Sequence, residues 1–292
     1  MREVVVISGK GGAGKTSVTG AFANLAGNTI LCDLDVDAPD LHLLLAPEKK
    51  RTEEFRSGNE AIIDPDRCMG CGRCEELCRF EAVHREGDVF RIDPMHCEGC
   101  KVCVAFCPAE AIDFPQRHCG QWYESVTRFG PMVHAQLFPG QENSGRLVTL
   151  LKQRAREIAE KEGYDLVLSD GAPGIGCPVI SSLAGTDMAV IVTEPTPSGL
   201  HDLERVAELC DRFRTKVTVF INKYDLNPDQ TAAIEAYCRD RGYAVICRFP
   251  HDHAVTRAMV EGKVVNEYGD NAASRLLEAA WENMLNLLPS EK

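Results

Sequence analysis

The stretch Gly9-Lys10-Gly11-Gly12-Ala13-Gly14-Lys15-Thr16 follows the apolar run Val4-Val5-Val6-Ile7 and leads into a helix-forming segment. It fits G-x-x-x-x-G-K-[ST] in the setting that gives the pattern meaning, a strand running into a loop and then a helix. Glycines let successive backbone N–H groups turn inward as a cradle for phosphate oxygens. The following helix adds the positive end of its dipole. Lys15 is placed to neutralise β- and γ-phosphates, and the Thr16 hydroxyl to sit on Mg²⁺. Gly9, Gly11, Gly12, Ala13, Gly14 and Ser17 complete the expected nucleotide-binding set.

Further β-branched runs follow at 28–37, 164–170, 186–195, 216–223 and 243–250, separated by helical stretches near 145–162, 199–213, 228–241 and 270–288. Strand–helix alternation of this kind predicts a mostly parallel, doubly wound α/β sheet. Alternation at 123–128 and 132–137 predicts a hairpin or two strands at the sheet edge. Cys32, Cys210, Cys238 and Cys247 fall on strands or apolar helix faces, where free cysteine acts as a small hydrophobe.

The pattern breaks between about Ile62 and Pro115. There the segment at 62–83, IIDPDRCMGCGRCEELCRFEAV, repeats at an offset of 29 residues as RIDPMHCEGCKVCVAFCPAEAI at 91–112. Eight of the 14 cysteines lie in these two C-x₂-C-x₂-C-x₃-C runs. This is the spacing of a two-cluster ferredoxin, in which the fourth cysteine of each run ligates the other cluster. Two [4Fe–4S] clusters are expected, one on Cys68, Cys71, Cys74 and Cys107, the other on Cys97, Cys100, Cys103 and Cys78. Tetrahedral zinc is the competing reading of short C-x₂-C runs. Arg79 replaces the proline that follows the fourth cysteine in the second run (Pro108), so the cluster near Cys78 is expected to be the more exposed. The expected organisation is a discontinuous nucleotide-binding domain, 1–61 and 116–292, interrupted by an α+β ferredoxin-like domain at 62–115.

The chain has 292 residues, beyond the usual ~100–150 of one domain. Its 32 basic against 44 acidic residues leave a formal charge of −12. That disfavours nucleic-acid binding and docking on anionic lipid, both of which need cationic surface. No window approaches the ~20 apolar residues of a spanning helix, and a glycine loop at Gly9 leaves no room for a signal peptide. A cytoplasmic protein is expected, in which clustered cysteines hold metal rather than disulfides.

Lys10 extends the phosphate motif to K-G-G-x-G-K-T, and here the sequence resembles the MinD/ParA class of P-loop ATPases with a deviant Walker A motif. That class includes the nitrogenase iron protein and Mrp-type iron–sulfur carriers. The resemblance implies ATP, Mg²⁺ and a nucleotide-sandwich dimer in which Lys10 contacts the phosphates held by the partner, in the manner of an arginine finger. It places Asp33 near Mg²⁺ and Asp35 beside the attacking water, in the first switch CDLDVDAPDL. Asp170 takes the Walker B place and would hold Mg²⁺ through water, with Gly174 and Gly176 letting the second switch re-fold.

Asn222 is implied to bond adenine, and Pro250 to pack on the base. Asn222-Lys223-Tyr224-Asp225 also fits N-K-x-D, so guanine competes. Cys177 matches the position at which the iron protein bridges a cluster between subunits, with Cys119 a candidate second ligand. The amphipathic end of the chain, with Leu276, Leu277, Ala280, Trp281, Leu285 and Leu288 on one side, is expected to pack on the sheet. The resemblance implies an ATPase that couples dimer switching to electron transfer or metallocofactor handling, as a homodimer or with a sister ATPase, serving a redox or metallocofactor partner. Alternatives are a spatial-organisation ATPase of the MinD/ParA kind with structural or redox-sensing clusters, and an iron–sulfur carrier.

Overall fold

The computed structural model describes residues 1–141 and 144–289. The chain begins β1 (Arg2–Ser8), α1 (Lys15–Leu25), β2 (Thr29–Asp33), α2 (Leu41–Leu45) and β3 (Glu48–Asn59). Short elements follow: β4 (Ile62–Ile63), α3 (Arg73–Leu77), β5 (Val83–Glu86), β6 (Val89–Ile92), α4 (Val102–Ala105) and β7 (Ile112–Asp113). Then come β8 (Gln116–Thr127), β9 (Gly130–Leu137), α5 (Ser144–Glu162), β10 (Leu166–Pro173), α6 (Cys177–Leu183) and β11 (Met188–Thr193). The chain ends with α7 (Pro197–Phe213), β12 (Lys216–Asn222), α8 (Pro228–Arg241), β13 (Ala244–Phe249), α9 (His253–Val260) and α10 (Ala272–Leu287).

These form two compact units, Met1–Glu53 with Gln121–Gln136 and Ser144–Lys292, and Glu54–Gly120 with Leu137–Asn143. The smaller unit is therefore wider than the expected 62–115, because its boundaries fall within β3, β8 and β9.

The large sheet has the order β13-β12-β11-β1-β10-β2-β9-β8-β3. Every pairing from β13 to β9 is parallel. β1 is the point where the winding reverses, with later strands added to both of its sides, and such a switch point opens a crevice at the strands' C-terminal ends. Alternate β1 residues feed different cores. Val4 and Val6 join Phe22, Leu277 and Trp281 on one face, whereas Val5 and Ile7 join Leu183, Leu203 and Ile234 on the other. Helices on both faces explain why the strands read as unbroken apolar runs.

The expected strands and helices at 164–170, 186–195, 216–223, 228–241 and 243–250 are present, and α7 starts two residues before its expected 199 because Thr196 caps it from Gly199 N. The 123–128 and 132–137 alternation lies in β8 and β9, neighbours near the sheet edge. The outermost strand, β3, was not expected: seven of its twelve residues are Glu, Lys or Arg. Charge on an edge strand blocks pairing with other chains and hides the strand from pattern reading.

In the smaller unit β4 pairs with β7 and β5 with β6, both antiparallel. Gly70 and Gly99, twins under the 29-residue offset, both have positive φ, and a Cβ on either would sit 2.4 or 2.3 Å from the Asp88 or Asn59 carbonyl oxygen. Only glycine fits either turn.

α10 packs as expected, with Trp281 against Phe22 at 5.3 Å between rings, and Met284 is a further buried member. Trp281→Ala is expected to cost about 3 kcal/mol, read as a lowered urea midpoint by circular dichroism; a loss below about 1 kcal/mol would contradict this packing.

Candidate nucleotide and cysteine sites

Gly14 caps α1 in the left-handed conformation (φ 96°), and a Cβ there would lie 2.4 Å from Asn222 Nδ2. No side chain caps the α1 N-terminus, so its leading N–H groups are open to an anion. They face a cavity of about 560 Å³ walled by Gly11, Gly12, Gly14, Lys15, Thr16 and Ser17. Asn222, Lys223, Phe249, Pro250 and His251 line the same cavity, so the structure brings the phosphate loop and the expected base residues together. Its volume lies in the range of small-molecule sites, ~300–1,000 Å³.

Behind the loop stands a buried charge cluster. Lys15 Nζ lies 3.1 Å from Asp170 Oδ1 and 3.3 Å from Asp35 Oδ2. Thr16 Oγ1 donates to Asp170 Oδ2 at 2.8 Å. Thr19, missed in the sequence, donates to Asp170 Oδ1 at 2.9 Å from one helical turn further on. An i, i+3 hydroxyl behind the motif's Thr16 was the available signal. Asp33 Oδ1 accepts from Asp35 N at 3.1 Å, while its buried Oδ2 has no partner.

Burial and the neighbouring Asp170 push the Asp33 carboxyl well above the ordinary carboxylate range. Burial likewise raises Asp35, against the pull of Lys15. For Lys15, burial opposes the charge, but Asp170, Asp35 and Asp33 outweigh it and the ammonium is raised overall. Three carboxylates share one ammonium, and the orphaned Asp33 Oδ2 and the Thr16 hydroxyl are hard oxygen donors, the chemistry that Mg²⁺ prefers.

Other expected residues fall elsewhere. Gly9 and Ala13 are not on the cavity wall. A Cβ on Gly9 would lie 2.3 Å from Asp202 Cβ in α7, so Gly9 permits close packing. Ala13 is buried, and its carbonyl accepts from Asn222 Nδ2 at 2.8 Å. Asp225 accepts from His251 N at 2.7 Å and bears no wall residue's role. Lys10 is also off the wall, 3.4 Å from Glu194. Cys177 is exposed at the start of α6, whereas Cys119 is buried with its thiol donating to Ser57 O at 3.1 Å. Cys32, Cys210, Cys238 and Cys247 are buried as expected.

In the smaller unit, Cys68, Cys71, Cys74 and Cys107 line one apolar hollow with Ile63 and Phe90. Cys78, Cys97, Cys100 and Cys103 line a second, with Phe80 and Ile92. Each set takes three cysteines from one run and the fourth from the other. Among the described residues no three His, Cys, Asp or Glu side chains gather closely enough to hold a single metal ion; the thiols surround hollows instead. Burial, then the neighbouring Cys97, pushes the Cys103 thiol up to about 11. The exposed cysteines are Cys71 and Cys100, one per set, while Cys78 and Cys107 are alike in being half-buried. Arg79 therefore does not make its set the more open one.

Residues 4–284 match the CobQ/CobB/MinD/ParA nucleotide-binding domain family. The chain belongs to that family. It is similar to MJ0578 of Methanocaldococcus jannaschii, 35% identical over 228 residues, covering 77% of this chain and 79% of that protein. A second protein of the same organism, MJ0579, is 25% identical over 258 residues, covering 83% and 91%. Among solved structures, Pyrococcus furiosus cell division ATPase MinD superposes with a TM-score of 0.59 at 17% identity, covering 98% of this chain and 99% of that one. The septum site-determining protein MinD of Pyrococcus horikoshii, complexed with Mg-ADP, gives 0.58 at 16%, covering 97% and 95%. A ferredoxin of Saccharopolyspora erythraea matches over 35 residues at 43% identity, 12% of this chain and 33% of that one. Among the described residues no helix is long and apolar enough to cross a membrane.

For this member of the CobQ/CobB/MinD/ParA family, Asp33→Asn separates stability from binding. The folded chain holds the Asp33 proton more tightly than the unfolded chain. Folded stability therefore falls as pH rises from the ordinary carboxylate range toward the raised one. The asparagine variant lacks that loss, so its nucleotide-free form is expected to melt a few degrees higher at neutral pH while Mg²⁺-dependent nucleotide retention falls at least tenfold. Calorimetry and filter binding read the two effects, and a variant that melts lower and binds normally would contradict this account.

Proposed function

We propose that this chain is an ATP-binding and ATP-hydrolysing iron–sulfur protein, in which nucleotide-driven dimer switching is coupled to electron transfer or metallocofactor handling with a partner protein. The observation that carries the proposal is the pair of four-cysteine hollows in a chain that also holds the Lys15–Asp170–Asp35 nucleotide cavity.

ATP is favoured over GTP because Asp225, the residue of N-K-x-D that would read guanine, does not line the cavity and accepts from His251 N through Oδ1. Phe249 and Pro250 offer a flat apolar wall to a base. The α1 N–H groups and Lys15 would hold the β- and γ-phosphates. Thr16, Asp33 and Asp170 would hold Mg²⁺, which supplies charge neutralisation between the phosphates. Asp35, partly buried beside Lys15, would orient water for in-line attack, a task of positioning more than of basicity. Lys10, with 35% of its side chain exposed beside Glu194, would act on a second copy. The deviant motif and this dimer are the finer part of the proposal. Two relatives in one organism, MJ0578 and MJ0579, support a sister chain as an alternative to a second copy.

The four-cysteine sets fit [4Fe–4S] clusters better than zinc, since each set rings an apolar hollow. Cys68, Cys71, Cys74 and Cys107 would hold one, and Cys78, Cys97, Cys100 and Cys103 the other. Such clusters carry single electrons when bound. The protein's own part is to keep the hollows dry, with Ile63, Phe90 and Ile112 around one and Phe80, Val83 and Ile92 around the other.

Protein prepared without oxygen is expected to contain about eight iron and eight acid-labile sulfide per chain, and Cys74→Ser with Cys103→Ser to lose most of both. Lys15→Ala is expected to lower ATP hydrolysis by at least a hundredfold. Stopped-flow reduction of the clusters should change severalfold on adding Mg-ATP; identical kinetics and potentials would refute the coupling.

A second reading, a spatial-organisation ATPase whose clusters are structural or redox-sensing, is favoured by the fold likeness to cell division ATPase MinD across 98% of the chain. It predicts Lys15-dependent foci of a fluorescent fusion, together with reduction kinetics indifferent to ATP.

A further inference from the structure

Lys10 is engaged within its own chain. Its Nζ lies 3.4 Å from Glu194 Oε2 and 3.5 Å from Thr196 Oγ1. Glu194 follows β11, and its other oxygen pairs with Lys223. Thr196 is already fixed, accepting from Gly199 N at 2.9 Å as the cap of α7. Lys223 sits beside Asn222 at the base end of the cavity, with a left-handed backbone (φ 53°) and its N–H donating to Asn222 Oδ1. A left-handed lysine persists only where surrounding contacts over-determine it, and the Glu194 pair is one such contact. One carboxylate, 14% exposed, thus serves two ammonium groups, one from each of two loops at the C-terminal edge of the sheet.

We propose that Glu194 is a positioning residue that parks Lys10 in its own chain, so that Lys10 must leave this carboxylate before it can reach phosphates held by a second copy. The proposal rests on the reading above in which Lys10 acts across a dimer. Release leaves no orphan, because Glu194 keeps Lys223 as its partner when Lys10 departs, and the large penalty of an unpaired buried charge does not arise. The Lys10 pair is partly exposed, so it is a bias and not a lock. A triphosphate on the facing copy, with more charge than one shared carboxylate, outcompetes it. Nucleoside diphosphate, lacking the γ-phosphate charge, competes less well, and the parked state then resists sandwich formation.

The test uses full-length protein and Glu194→Gln, which keeps the shape and removes the charge. With Mg²⁺ and a non-hydrolysable ATP analogue, sedimentation is expected to show the variant dimerising at roughly three- to tenfold lower protein concentration than the parent, the size of a partly exposed ion pair. Lys10→Ala in the same background should abolish that gain. In nucleotide-free protein, acetylation of Lys10 followed by mass spectrometry should run about threefold faster in Glu194→Gln, as expected for an amine freed from an ion pair, whereas Glu194→Asp should stay near the parent rate. Unchanged Lys10 labelling together with unchanged or weakened dimerisation would overturn the proposal. Faster Lys10 labelling in Glu194→Gln, with neither protein dimerising under any nucleotide condition, would keep the parking and remove the dimer reading instead.

Discussion

One ammonium buried among three carboxylates sets the terms for the nucleotide-binding unit. Lys15 faces Asp170, Asp35 and Asp33, in a place where unpaired charge costs several kcal/mol. The cluster is held by backbone as well as side chains, since Leu34 N donates to the Asp170 carbonyl at 2.7 Å and so ties the loop after β2 to β10. Burial and mutual repulsion push Asp33 and Asp35 up, so the cluster favours holding a proton that a cation could replace. The same surplus explains how a chain of net charge −12 can receive a polyanion. On the proposed reading, a nucleotide arriving with its divalent ion would bring the missing positive charge, and the α1 N-terminus and Lys15 would meet the phosphates.

How legible this was depends on whether a feature is local in the chain. The phosphate loop is one turn and one helix start, so its residues announce themselves in sequence. The motif nevertheless includes residues that serve the backbone and not the ligand: Gly9 makes room for α7 and Ala13 lends a carbonyl to Asn222. Thr19 shows in the sequence only as a hydroxyl three residues after Thr16, and that it meets Asp170 follows from the packing of α1 on the sheet. β3 was hidden for a different reason, since its charged residues protect an edge. Cys119 could be nominated by sequence as a ligand, but its burial under Ser57 O is a tertiary fact.

The smaller unit was legible because it is written twice, and its backbone keeps the repeat more faithfully than its side chains do. Gly70 and Gly99 have φ of 67° and 61°, and Glu81 and Glu110 have 54° and 49°. Gly72 has φ of 76°, and its twin Lys101 holds 66° although it carries a Cβ. A non-glycine residue there costs ~1–2 kcal/mol. Three successive twin positions in left-handed geometry cannot follow from residue preference, because glutamate and lysine have none for it. Tertiary contacts hold these turns, and three of the six residues, Gly72, Gly99 and Lys101, border the four-cysteine hollows. Side chains were free to diverge around that fixed frame: Gly72 lies under Phe90 at one hollow, while Lys101 borders the other. A cation borders each hollow all the same, Arg73 at the first and Lys101 at the second, so the repeat keeps a positive charge beside each set while moving it by one position along the turn.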